Sequence, residues 1–138
     1  QMKIELLESF LTGHHEIDED HRNLVETINL VSEAIDSKEM DQCKSLLDSF
    51  VEVAKNHFAR EEAILREIKY PGIEKHCEYH DGLLERANIV KRLCQDMAER
   101  GKLKDCFEGM ANFFIDDVVK GDVMFVSYLE QVGVTKKT

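Results

Sequence analysis

The stretch from Glu39 to Lys69 reads EMDQCKSLLDSFVEVAKNHFAREEAILREIK. Cys43, Leu46, Phe50, Val53, Ile64 and Ile68 recur at spacings of three and four, and His57 and Glu61 fall on the same stripe. That period places all eight on one face of an α-helix. The face is apolar at both ends and polar in the middle. A helix of this length buries such a face only against other helices.

Working outward, the same period recurs on both sides. Upstream, His21, Leu24, Ile28, Val31 and Ile35 predict a helix from about Asp18 to Ile35, with Asp18 as N-cap and Glu19 and Asp20 in its first turn. Tyr70-Pro71-Gly72 ends the central helix. Ile73, His76, His80, Leu83, Ala87, Cys94 and Met97 then predict a third helix, from about Ile73 to Glu99, stopped by Gly101. Phe107, Met110, Phe114, Asp117, Gly121 and Phe125 predict a fourth, from about Leu103 to Gln131. A short segment, Lys3 to Leu11, precedes the helices and is closed by Thr12-Gly13. No strand pattern or repeat appears. The fold expected is all-α, an antiparallel up-down-up-down four-helix bundle over residues 2–132 with a tail at 133–138.

Composition narrows the class. The chain has 138 residues, one proline, seven glycines and 33% charged residues, which suits one helical domain with a real core. Eighteen basic against 28 acidic residues give a net charge of −10, with no Lys/Arg cluster to mark a nucleic-acid or anionic-lipid face. No stretch approaches a membrane span or a signal peptide, and Gln1 ahead of Met2 reads as a remnant before a native start. The four cysteines, Cys43, Cys77, Cys94 and Cys106, form no Cys-x-x-Cys pair. They read as reduced residues of a cytoplasmic protein, mostly in the core.

The polar residues on apolar faces carry the chemistry. His21 alone reads as a satisfied core histidine. His57 and Glu61 lie one turn apart on an inward face, and His76 and His80 repeat that spacing. Asp122 lies near Val118 and Phe125 on the last helix. A buried charge is costly unless paired or bound to metal. Four imidazoles and two carboxylates without thiolate suit iron, manganese or zinc. Six donors exceed one tetrahedral ion but fit two octahedral ions bridged by carboxylates. Glu62, one position off the stripe, reads as solvated. His14 and His15 read as exposed loop histidines, and Tyr79 and Tyr128 as core or rim packing residues rather than hydrogen-bond donors near the site.

Together, Ile17-Asp18-Glu19-Asp20-His21-Arg22-Asn23-Leu24, His57-Phe58-Ala59-Arg60-Glu61-Glu62, His76-Cys77-Glu78-Tyr79-His80 and Asp122 resemble the hemerythrins, specifically the bacterial hemerythrin-like domains. The resemblance runs from about His14 to Leu129. It implies two iron ions, ferrous or ferric, joined by an oxo or hydroxo bridge. His21 and His57 would hold one iron and His76 and His80 the other, with Glu61 and Asp122 bridging both. The family's third histidine on the second iron corresponds to Asp117 here, and its usual tryptophan to Phe113. Asp117 either ligates in its place or turns away. Asp116 is a less suited neighbour.

The implied partner is dioxygen, or another small diatomic or anionic ligand, bound for sensing, storage or delivery, in a domain often joined to signalling domains. A carboxylate at Asp117 also suits an alternative: a di-iron oxidase or peroxidase-like enzyme, or a nitric oxide or redox sensor.

Overall fold

The computed structural model describes residues 3–100, 104–116 and 121–135. Among them the chain forms helices only. They are a 3-10 turn at Glu8–Phe10, then α1 (His15–Asp36), α2 (Met40–Glu67), α3 (Ile73–Arg100), α4 (Lys104–Ile115) and α5 (Val123–Gln131). α1 packs on α2, α2 on α3, α3 on α4, and α4 back on α1, so the helices close a ring around the core. No described helix is long and apolar enough to cross a membrane.

The expected helix boundaries hold to within a few residues, with two corrections. Asp18 does not cap α1, which starts at His15 after His14. Its buried carboxylate instead accepts hydrogen bonds from Thr12 N (2.8 Å), Thr12 Oγ1 (2.9 Å) and Gly13 N (3.0 Å), fastening the entry loop to the helix. The expected fourth helix is not one uniform α-helix. Asp116, Gly121 and Asp122 wind as π-helix between α4 and α5. A wider turn of this kind re-aims side chains and is frequent at functional sites.

α1 and α2 both end on a lysine in the left-handed region, Lys38 (φ 58°) and Lys69 (φ 59°), where glycine is usual. The next amide closes each end, Glu39 N onto Ala34 O and Tyr70 N onto Leu65 O. Tyr128 adds its hydroxyl to the carbonyls of Ile68 (2.7 Å) and Lys69 (3.0 Å), tying α5 to the end of α2.

The buried apolar residues fall into two clusters. The larger contains Leu24, Ile28, Phe50, Phe58, Leu83, Ala87, Met110, Phe113 and Phe114; the smaller contains Ile17, Leu65, Phe125 and Leu129. On every helix the polar core residues stand between the two. His21 separates Ile17 from Leu24, Glu61 separates Phe58 from Leu65, and Asp122 separates Phe114 from Phe125. On α2 Leu47, Ala54 and Leu65 are as fully buried as Cys43, Phe50, His57 and Glu61, whereas Leu46, Val53 and Ile64 lie half-buried beside them. The inward face is thus one residue broader than the spacing alone indicated.

One expectation about cysteine is overturned. Cys94 of α3 and Cys106 of α4 are joined as a disulfide, buried in the larger cluster. Helix packing brings their Cα atoms to 5.1 Å, within bridging distance. Cys43 is free and buried, and Cys77 is free and half-buried. Met97, Gly101 and Asp117 fall where the structure describes no side chain.

Candidate metal centre

Six side chains expected at the site converge in the polar layer. His21 comes from α1, His57 and Glu61 from α2, His76 and His80 from α3, and Asp122 from the π-helical turn before α5. All six are at most 4% exposed. They make two overlapping clusters, His21, His57, Glu61 and Asp122, and Glu61, His76, His80 and Asp122. In each, the potential donor atoms lie within 4.8 Å of one another.

Each shared carboxylate spans the two clusters with its two oxygens. Glu61 Oε2 stands 3.1 Å from His57 Nε2, whereas Glu61 Oε1 stands 2.6 Å from His76 Nε2 and 3.0 Å from His80 Nε2. Asp122 Oδ2 lies 2.8 Å from His21 Nε2, and Oδ1 lies 3.5 Å from His76 Nε2. His21 and His57 bring their Nε2 atoms within 3.0 Å of each other. Such crowding of lone pairs and negative oxygens, with water excluded, is unfavourable unless positive charge sits among them.

The electrostatics agree. Burial would raise the Glu61 carboxyl, but the charge and hydrogen bond of His57, and hydrogen bonds from His76 and His80, hold it well below the usual carboxylate range. Burial would lower His76, yet Asp122 and Glu61 push it up to about 9. The layer therefore favours a cation even at full burial. The nitrogen and oxygen donor set, without thiolate, fits a hard or borderline ion of the iron, manganese or zinc type.

Two carboxylates missed by the sequence reading hold the histidines from behind. Glu62 is not simply solvated: its Oε2 lies 3.0 Å from His80 Nδ1. Asp20 is buried, and its Oδ2 lies 3.4 Å from His57 Nδ1. A carboxylate can only accept, so each keeps the proton on Nδ1 and presents Nε2 as the donor atom to a metal. Asp20 is clamped in turn by Arg60, whose Nε donates to Asp20 Oδ2 (2.8 Å) and whose Nη2 bonds Oδ1. Burial would raise the Asp20 carboxyl, but His57 and Arg60 lower it to about 2. The signal in sequence was the i−1 and i+1 placement of acids beside ligand positions, which periodicity alone discards.

Aromatic rings complete the walls. Phe58 stacks on His80 at 4.3 Å, Phe125 meets His76 edge-on at 5.3 Å, and Phe114 meets His21 at 6.0 Å. Phe113 is buried against Phe50 and Phe58, a layer away from the histidines. His14 is partly buried and His15 exposed, and neither belongs to a cluster of potential metal ligands. Asp116 turns outward, pairing with Arg86.

A helical bundle with a buried histidine and carboxylate layer built for cations is the class of protein that fold and site define. The family profile Hemerythrin HHE cation binding domain matches residues 12–120, and the chain belongs to that family. The match stops two residues short of Asp122, which the geometry brings to the site independently. Among named relatives, the bacteriohemerythrin of Pseudomonas paraeruginosa (strain DSM 24068 / PA7) is 30% identical over 77 residues, 56% of this chain and 50% of that protein. That of Stenotrophomonas maltophilia (strain R551-3) is 30% identical over 70 residues, 51% of this chain and 46% of that protein. The myohemerythrin of Theromyzon tessulatum is 25% identical over 84 residues, 61% of this chain and 65% of that protein. The chain thus aligns with about half the length of these bacterial relatives.

Proposed function

We propose that this chain is a non-haem di-iron protein that binds dioxygen for sensing, storage or delivery. The observation that carries this reading is the placement of Glu61 and Asp122, each with one oxygen toward His21 and His57 and the other toward the α3 histidines. His21 and His57 would hold one iron and His76 and His80 the other, with Glu61 and Asp122 available to both. Bound there, an iron pair supplies the electrons that hold dioxygen and takes them back on release. The chain's own groups do the rest. Asp20 and Glu62 fix the imidazole protons on Nδ1, and Phe58, Phe114 and Phe125 keep bulk water out.

The bundle is read as antiparallel, up-down-up-down. In support, the small apolar cluster precedes the polar layer along α1 and α3 (Ile17, Ile73) and follows it along α2 and α5 (Leu65, Phe125).

The test is iron loading, anaerobic reduction and exposure to oxygen, followed optically. A spectrum that forms with oxygen and disappears on degassing supports carriage or sensing. Two irons per chain are expected by elemental analysis, and one zinc with no iron would overturn the reading. The alternative of an oxidase, peroxidase-like enzyme or redox sensor rests on Asp117. A carboxylate on the second iron would favour the ferric state, and one-way oxidation in the same experiment would select it.

A further inference from the structure

The six core ligands are almost wholly buried, so a small molecule reaches them only past a side chain that moves. Tyr79 occupies such a position. It lies on α3 between His76 and His80, half-buried, with its ring centre 6.2 Å from that of His76. The ring lies so close to Gly121 that a Cβ there would meet Tyr79 Cε2 at 2.5 Å, nearer than real Cβ atoms come. Glycine beside Asp122 is therefore what gives the ring its place. The hydroxyl donates to the backbone carbonyl of Asp116 at 2.6 Å, where the helix takes its π-helical winding.

On the outer side of the ring is an open cleft of about 320 Å³, lined by Glu78, Tyr79, Gly82, Leu83 and Arg86. A Cβ added at Gly82 would meet nothing within 4 Å, so the mouth is clear. Arg86 places a guanidinium at the cleft and pairs with the Asp116 carboxylate. One aromatic ring, latched by a hydroxyl, thus stands between an open cleft, whose Glu78 and Asp116-paired Arg86 leave it no net positive charge, and the His76 side of the centre.

We propose that Tyr79 is the gate through which small anions and diatomic molecules reach the metal centre. This rests on the metal-centre reading above. Opening requires the ring to leave Gly121 and the hydroxyl to leave the Asp116 carbonyl. A gate changes how often the path is open and leaves the end states alone. It therefore scales entry and exit rates by the same factor, and Kd stays fixed. A residue that touches the bound ligand changes Kd instead.

The experiment uses Tyr79→Phe, which keeps the ring and removes the latch, with azide as probe. Stopped-flow mixing of the iron-loaded protein should show azide entry and exit both accelerated by about tenfold, the usual order for one hydrogen bond. Kd should be unchanged. A second reading, independent of iron, is the rate of Co2+ uptake by the metal-free protein, which should rise without a change in affinity. Gly121→Ala, which displaces the ring, should accelerate both probes in the same sense. Unchanged rates in a Tyr79→Phe protein that still binds metal and azide overturn the gate and leave the centre intact. A changed Kd with unchanged entry overturns it in favour of direct contact. A parent protein that takes up neither Co2+ nor iron overturns the metal centre and the gate with it.

Discussion

The two halves of the centre are built differently. His21 and His57 come from different helices and meet only when α1 packs on α2. Their support also crosses that interface, because Asp20 of α1 is gripped by Arg60 of α2. His76 and His80 sit one turn apart on α3 and are arranged by a single helix before any packing. Glu62 reaches across from α2 to hold His80 from behind, at Nδ1. The first half is made by tertiary structure and the second by local structure. The first should therefore follow the stability of the α1–α2 contact, while the second should persist in partly loosened states.

The largest effect should come from the residue common to both halves. Glu61→Ala removes a carboxylate shared by the two clusters, and total metal content should fall by elemental analysis. Retention of the parent stoichiometry would place Glu61 outside the site. Next comes the covalent tie between α3 and α4. Closing a loop of 12 residues' separation limits the unfolded chain, so replacing Cys94 and Cys106 by alanine should cost about 3 kcal/mol in urea titrations.

Smaller and more selective effects should separate the halves. Glu62→Ala should weaken metal binding by about 10–100-fold on the His76/His80 side, and Asp20→Ala by a similar factor on the His21/His57 side. Stepwise Co2+ titration would show one step moving in each variant. Movement of both steps together would mean that the halves are not independent. Acidification should reveal the same asymmetry in metal-free protein. Asp20 is lowered from 3.8 to about 2 on folding, so its stabilising contribution is present above pH 3.8 and is lost as pH falls through about 2. Asp20→Asn should remove that part of the acid transition, as followed by circular dichroism. Arg60→Gln should have the smallest effect, at most about 1 kcal/mol, because the guanidinium is half exposed.

The helices were legible because the first three carry their period intact and Pro71, Gly13, Gly72 and Gly133 fall between or beyond helices, although Gly82 and Gly109 lie inside α3 and α4. The six core donors were legible because a histidine or carboxylate on an apolar stripe contradicts its surroundings. Asp20 and Glu62 were not, because each lies one residue off a stripe, where an acid on a wet surface looks the same. Whether such a residue reaches inward depends on how far the neighbouring helix lies, and no single helix encodes that. The disulfide was hidden for the same reason. Cys94 and Cys106 each fit an apolar face, and only the α3–α4 contact brings their sulfurs together. The π-helical winding at Asp116, Gly121 and Asp122 left no mark on a period read at three and four.

Asp122 is the last of the six candidate donors in the chain, and this has a consequence during synthesis. By residue 80, five of the six have been made. Asp122 follows 42 residues later, roughly 2–8 s at ordinary rates of translation. Until α5 has emerged, α1, α2 and the start of α3 can build at most a half-walled pocket, with Glu61 among four histidines and the side destined for α4 and α5 open. The closing helix also brings Phe125 against His76 and Tyr128 onto the end of α2. The five earlier donors thus wait on α5, and the docking of that helix closes the last face of the layer.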